Sequence, residues 1–193
     1  LGKPGSVGKA APGSTIKIFP VDGDDVDGDD EELPPGEIGL VYIGSDWGRG
    51  FRYAGPDELT ESIIRGDLAT LGDVGYVDDD GYLYVVDRRK DLVITGGANV
   101  YPAEVETVLV RHPDIAEVAV IGLPDAEYGE IVTAVVVRGA DPSSVAFTGA
   151  DVIAFAREHL VRYKAPRRVE FVEQLPRDPM GKVLKRELRT TFS

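Results

Sequence analysis

Two runs of alternating apolar and polar residues face each other across Asp80-Gly81 in "VGYVDDDGYLYVVD", Val74 to Asp87. Asp-Gly tolerates the left-handed backbone of a tight reversal, and alternation with a period of two buries one side of each run. A chain with this hairpin is committed to an antiparallel sheet at its middle. The residues before it agree. "TIKIF" (Thr15 to Phe19) and "IGLVYI" (Ile38 to Ile43) read as strands, with an acidic loop between them. "PDELTESII" (Pro56 to Ile64) opens with Pro and acids and turns apolar late, which predicts a short helix. The first half is therefore expected to be a small sheet or barrel with little helix.

Beyond Asp87 the pattern changes. "RRKD" is a charged joint, "LVIT" a strand and "GGAN" a tight turn. In "YPAEVETVLVRH", Pro102 sits where a helix starts, with Val105, Val108 and Leu109 on one face. "IAEVAVIGL", "EIVTAVVV" and "RVEFVEQL" read as strands, and "KRELRT" as a last helical turn or two. "TGADVIAFAREHL" is an amphipathic helix with Thr148 as N-cap and Asp151 three residues on. The expected fold class is α+β in two parts, a β-rich segment 1–87 and a compact α+β domain 88–193, joined at Asp87 to Lys90.

Charge and composition exclude several functions. The formal net charge is -13, whereas phosphate backbones are bound by clustered Lys and Arg, so nucleic acid is not an expected partner. Eight acids crowd between Asp22 and Glu32, and a basic stretch, "GKVLKRELR", lies near the end. The acidic run fails as a calcium loop, because in its best register Asp30 stands where Gly is required and Gly36 where a bidentate Glu is required. Cys is absent, which removes disulfides, thiolate metal sites and a cysteine nucleophile. The two histidines, His112 and His159, lie in separate segments, so no metal site is expected. No apolar run reaches the roughly 18 residues of a membrane span, and no signal peptide is expected from the opening residues, which lack a basic-then-apolar pattern. No G-x-S-x-G supports serine hydrolysis.

"PRDPMGKVLKREL", Pro176 to Leu188, invites comparison with a phosphate-binding loop. A P-loop needs Gly at its first position and Ser or Thr after the lysine; here these are Pro176 and Val183. The earlier "KPGSVGKA" fails at both ends as well. Taken alone, Lys182 is a surface lysine. Gly181 and two prolines nevertheless make a stiff turn able to hold a long cation away from the fold.

Three stretches in order settle on one resemblance. "GDVGYVDDDGYLYVVDRRKDLVITGGANVYPAEVE" is similar to the core signature of the acyl-adenylate-forming superfamily, which includes acyl-CoA synthetases, luciferases and peptide-synthetase adenylation domains. "KAPRRVEFVEQLPRDPMGKVLKREL" resembles the family's C-terminal ending, and "PPGEIGLVYI" with "FRYAGPDELTES" the segment ahead of the signature. The fatty acyl-CoA synthetase branch is the nearest. The resemblance implies the last β-rich subdomain of a large domain followed by a mobile C-terminal domain. It also implies ATP and CoA as cosubstrates, a fatty or other carboxylic acid as substrate, and Mg2+ accompanying ATP.

By the same resemblance, Lys182 is the catalytic lysine of adenylation, and Asp73 and Arg88 face the nucleotide ribose. Leu71 stands where the family usually has a threonine. Gly96, Gly97 and Asn99 line the pantetheine path of CoA, Lys90 is the hinge, and Tyr163, Lys164 and Arg167 lie near the CoA nucleotide. The family's Ser/Thr/Gly-rich phosphate loop and "YG-x-T-E" segment do not occur in this sequence. The chain is therefore expected to be the C-terminal part of a longer ligase, inactive without the N-terminal domain that would bind Mg2+. A cytoplasmic location is expected, with peripheral membrane contact as its variant. Two other readings stand beside this one: an adenylation domain that loads a carrier protein, and a noncatalytic module that binds a nucleotide or CoA.

Overall fold

The computed structural model describes residues 2–21, 31–45, 63–139 and 147–193. Most of the acidic run, Asp22 to Asp30, and most of the helix expected at Pro56 to Ile64 lie outside them. The chain divides into two compact units, Leu1–Lys90 and Asp91–Ser193.

Among its described residues the first unit is one antiparallel sheet. Its strands are β1 (Gly8–Lys9), β2 (Ser14–Phe19), β3 (Gly39–Ser45), β4 (Ile64–Arg65), β5 (Leu68–Ala69), β6 (Asp73–Val77) and β7 (Tyr82–Arg88), in the order β1-β7-β6-β3-β5-β4, with β2 also on β3. Ile64, expected to close a helix, instead begins β4 and pairs with Ala69. Ile18, Val41 and Leu83 form the buried centre, with Leu33 and Val77 against it. A β-bulge lies between Val74 and Gly75. Gly75 is required there, because a methyl group on it would collide with the carbonyl oxygen of Tyr84.

The β6–β7 turn is built around one carboxylate. Asp78 Oδ1 accepts the N–H groups of Asp80 and Tyr82 at 3.0 and 2.9 Å, and the Gly81 N–H donates to the Asp78 carbonyl at 2.8 Å. Gly81 takes φ +80°, as the αL position of such a turn demands. Lys3 donates to Asp78 and Asp80, both at 2.6 Å. Its hydrogen bond holds the Asp78 carboxyl below the usual aspartate range.

The second unit holds β8 (Val93–Thr95), β9 (Ala98–Val100), α1 (Pro102–Leu109), β10 (Ile115–Asp125), β11 (Gly129–Arg138), α2 (Gly149–His159), β12 (Arg168–Val172) and α3 (Lys185–Phe192). A 3-10 turn, Arg89–Asp91, leads into it. β11 is central. It pairs antiparallel with β10 along its length, with β8 at Gly129, and in parallel with β12 over Thr133 to Val137.

Both faces of this sheet are covered, so β10 and β11 read as nearly continuous apolar runs instead of alternating ones. On one face Val120, Val132, Ala134 and Val136 pack with Val105 and Leu109 of α1 and with Val152 and Ala156 of α2. On the other, Ala119, Ile121, Leu123 and Val135 meet Leu175 and Leu188. Leu188 is the buried anchor of α3. At the start of α2, Asp151 Oδ2 accepts both the N–H and the hydroxyl of Thr148, at 2.8 and 2.6 Å.

The histidines, separate in sequence, meet through one ring. His112 stacks on Phe147 and lies edge-on to Phe155, and Phe155 also contacts His159, with centroids 4.9 and 4.4 Å apart. Among the described residues no helix is long and apolar enough to cross a membrane, and no cluster of three metal-ligating side chains occurs.

Candidate active site

Asp73 and Arg88 occupy the open end of the β6–β7 hairpin and are register partners. Arg88 Nε donates to Asp73 Oδ1 at 2.7 Å, with both side chains partly exposed. A carboxylate has lone pairs for two donors, so Asp73 can accept further hydrogen bonds beside the guanidinium. Leu71, two residues earlier, is exposed, and Thr70 supplies the nearby hydroxyl, accepting the Gly72 N–H at 3.0 Å. Lys90, one residue before the second unit begins, is exposed within the 3-10 turn.

In the second unit, the turn joining β8 to β9 is the pair Gly96-Gly97, with φ +57° and +78°. Two successive residues at positive φ make the reversal that suits strand twist, and glycine alone adopts it without strain. Asn99 lies in β9 opposite Ile94, outside the turn that "GGAN" suggested. A methyl on Gly97 would meet nothing within 4 Å, so the tip of this hairpin is open.

Tyr128, which carries no local sequence signal, links this hairpin to another predicted residue. Its carbonyl accepts the Gly96 N–H at 2.8 Å, and its ring lies 3.8 Å below the Arg167 guanidinium. Gly96, Gly97 and Arg167 thus belong to one neighbourhood around Tyr128. Tyr163 is exposed, and Lys164 is committed to Glu104 of α1 at 2.6 Å.

Lys182 follows a turn with the same hydrogen bonds as the one at Asp78. Asp178 Oδ1 accepts the N–H groups of Met180 and Lys182, each at 2.9 Å. The Gly181 N–H donates to the Asp178 carbonyl, and the Asp178 N–H to the Lys182 carbonyl, both at 2.9 Å. Gly181 takes φ +87°. Pro179 sets the first central position of the turn, and Arg177 and Val183 bridge across its base. Both backbone polar groups of Lys182 are therefore tied down while its side chain stands in solvent.

Three lysines occur from Asp91 to Ser193, and two are paired: Lys164 with Glu104, and Lys185 with Glu106 at 2.8 Å. Among the described residues, the Lys182 ammonium has no partner. A rigid turn presenting one uncommitted cation can stabilise negative charge developing on a bound anion.

Ion pairs from this C-terminal segment reach three separate elements. Glu106 of α1 takes Lys185 and also accepts the Val120 N–H at 2.8 Å. Asp91 pairs with Arg189 of α3 at 3.2 Å, and Glu117 of β10 with Arg177. The sequence marks none of these acids. The D-x-x-G pattern at 78–81 and 178–181 was the one available signal for Asp178.

Within this unit the two groups lie at different ends of the sheet. The glycine hairpin adjoins Gly129, where β11 begins, whereas Arg177 at the base of the Lys182 turn is tied to Glu117, opposite Val137. Eight residues of extended strand span roughly 27 Å at ~3.4 Å each.

Residues 104–182 match the AMP-binding enzyme C-terminal domain. The chain is 45% identical over 170 residues to the fatty acid–[acyl-carrier-protein] ligase ScoC of Streptomyces coeruleorubidus, covering 86% of this chain and 31% of that one. It is 41% identical over 199 residues to the long-chain-fatty-acid–CoA ligase FadD13 of Mycobacterium tuberculosis, covering all of this chain and 36% of that one. The crystal structure of ATP-bound MatB from Rhodopseudomonas palustris superposes with a TM-score of 0.84 at 40% identity, over 98% of this chain and 36% of that one. The chain spans about a third of the length of the curated relatives it matches. It belongs to the AMP-binding, acyl-adenylate-forming ligase family, and its residues correspond to the C-terminal region of those enzymes.

Proposed function

We propose that these residues form the C-terminal part of an ATP-dependent ligase that joins a fatty or other carboxylic acid to CoA. The acid's carboxylate attacks the ATP α-phosphate, forming acyl-AMP and releasing pyrophosphate. The CoA thiol then attacks the acyl carbon and AMP leaves. Lys182 serves the first step, its ammonium set beside the charge that builds on phosphate. Asp73 accepts from the ribose hydroxyls, with Arg88 holding its carboxylate in place. Gly96, Gly97 and Asn99 line the approach of the pantetheine arm, with Tyr163, Lys164 and Arg167 toward the CoA nucleotide. Mg2+ would accompany the ATP phosphates, held by residues of the ligase's N-terminal portion.

The observation that carries this reading is Lys182, whose backbone N–H and carbonyl are both bonded within the turn while its ammonium has no partner among the described residues. The distance along β11 supports the rest. One compact unit that carries a cation near one end of its sheet and an open glycine hairpin at the other suits two steps taken in alternation. The boundary beside Lys90 is where such a unit would turn. Carrier-protein thiol as acceptor is the second reading, favoured by the 45% identity to ScoC.

The test is Lys182→Ala in the longer ligase. Acyl-adenylate formation is expected to fall by about 10²–10³, the cost typical of removing one preorganised electrostatic group. Thioester formation from supplied acyl-adenylate is expected to persist. Equal loss in both half-reactions would remove the role assigned to Lys182.

A further inference from the structure

We propose that Arg177 and Glu117 are positioning residues for Lys182, a bracket that sets the direction in which its ammonium leaves the protein. The inference rests on the reading of Lys182 as the cation of the adenylation step. The hydrogen bonds of Asp178 fix the shape of the turn, but all of them lie within it. They do not by themselves orient it against the sheet. Val183, next to Lys182, packs against the sheet's core, and Arg177 adds a polar reference of fixed direction. Its Nη1 donates to the carbonyl of Gly181 at 2.6 Å, and its Nη2 donates to Glu117 on β10 at 2.5 Å.

The Gly181 carbonyl belongs to the peptide unit whose nitrogen is that of Lys182. That N–H donates to Asp178, so the peptide plane is held at both ends, by guanidinium and by carboxylate. Through Glu117 the plane is referred to β10, a strand of the buried sheet. Arginine suits this task because its planar fork meets two acceptors in fixed directions; the single ammonium of a lysine cannot reproduce both.

Stability does not account for the pair. Arg177 and Glu117 are 42% and 47% exposed, and exposed ion pairs add little to folding stability. Their effect falls on where Lys182 points, and misplacing a reacting group by about 1 Å can cost on the order of 10²-fold in rate.

The experiment measures both half-reactions and thermal unfolding of the longer ligase carrying Glu117→Gln, Arg177→Lys, Lys182→Ala, or Glu117→Gln together with Lys182→Ala. Each bracket variant is expected to lower kcat for acyl-adenylate formation at least about ten-fold. KM for ATP and acid, the thioester step and the melting temperature should stay unchanged. In the Lys182→Ala background, Glu117→Gln should have no further effect, because a group that acts through Lys182 has nothing left to position. Full adenylation in Glu117→Gln, equal loss in both half-reactions, or a further loss without Lys182 would each overturn the bracket. If Lys182→Ala itself spares adenylation, the role of Lys182 fails and the bracket fails with it. If Lys182→Ala abolishes the step and Glu117→Gln does not slow it, the bracket alone is wrong.

Discussion

A single aspartate organises each of two glycine-closed turns in this chain. Asp78 and Asp178 accept the N–H groups two and four residues on, and a glycine at positive φ closes each turn. The first turn joins strands; the second ends at Lys182. Gly97 presents the opposite case, an open backbone with no neighbour for an added methyl. Gly97→Ala is expected to cost about 1–2 kcal/mol from its positive φ alone, read as a lowered unfolding midpoint in urea. A thioester step that slows well beyond that in the intact ligase would report CoA pressing on the hairpin. Unchanged thioester formation would remove Gly97 from the pantetheine path.

Helices α2 and α3 are held by different means. α3 is short and mostly polar outward, so its place depends on Leu188 and on the pairs from Lys185 to Glu106 and from Arg189 to Asp91. α2 is set by the Thr148–Asp151 contact and by Val152 and Ala156 against the sheet. Hydrogen bonds from Thr148 hold the Asp151 carboxyl below the usual aspartate range. A depressed carboxyl pKa stabilises the fold fully above the ordinary value of about 3.9, and that stability is lost as pH falls through the lower folded value. Protection factors of the amides in the first turn of α2, taken against the intrinsic exchange rate at each pH, should therefore fall on acidification below about pH 4, and Asp151→Asn should remove that step. An unaltered acid profile in Asp151→Asn would assign the transition to other carboxylates.

At the scale of the whole molecule, each unit has its own buried centre. The second buries both faces of its sheet, which lets it carry the hairpin and the Lys182 turn as one body. The first offers the Asp73–Arg88 pair at a hairpin end but, among its described residues, no phosphate-binding loop. The purified 193-residue chain is therefore expected to unfold cooperatively yet release no AMP when given ATP, CoA and a fatty acid. Sustained AMP formation would show that these residues suffice, against the reading drawn from relatives three times as long.

The sequence by itself determined the local elements: the Asp80-Gly81 hairpin, helices opened by Pro102 and Thr148, and the glycine turn after β8. These follow from near-neighbour chemistry, which periodicity, caps and turn residues record. It also determined the family, through motifs read in order. Ile64, read as helical, was decided by pairing with Ala69, which local propensity does not encode. The partners of the candidate site were decided the same way. Arg177 meets Glu117 across 60 residues and Arg189 meets Asp91 across 98, while Tyr128 lies under Arg167 because β11 begins beside the glycine hairpin. Such contacts leave no periodic trace in sequence, since packing of distant strands and helices creates them; only the tertiary structure could decide that Lys182 is the lysine left without a partner among the described residues of its unit.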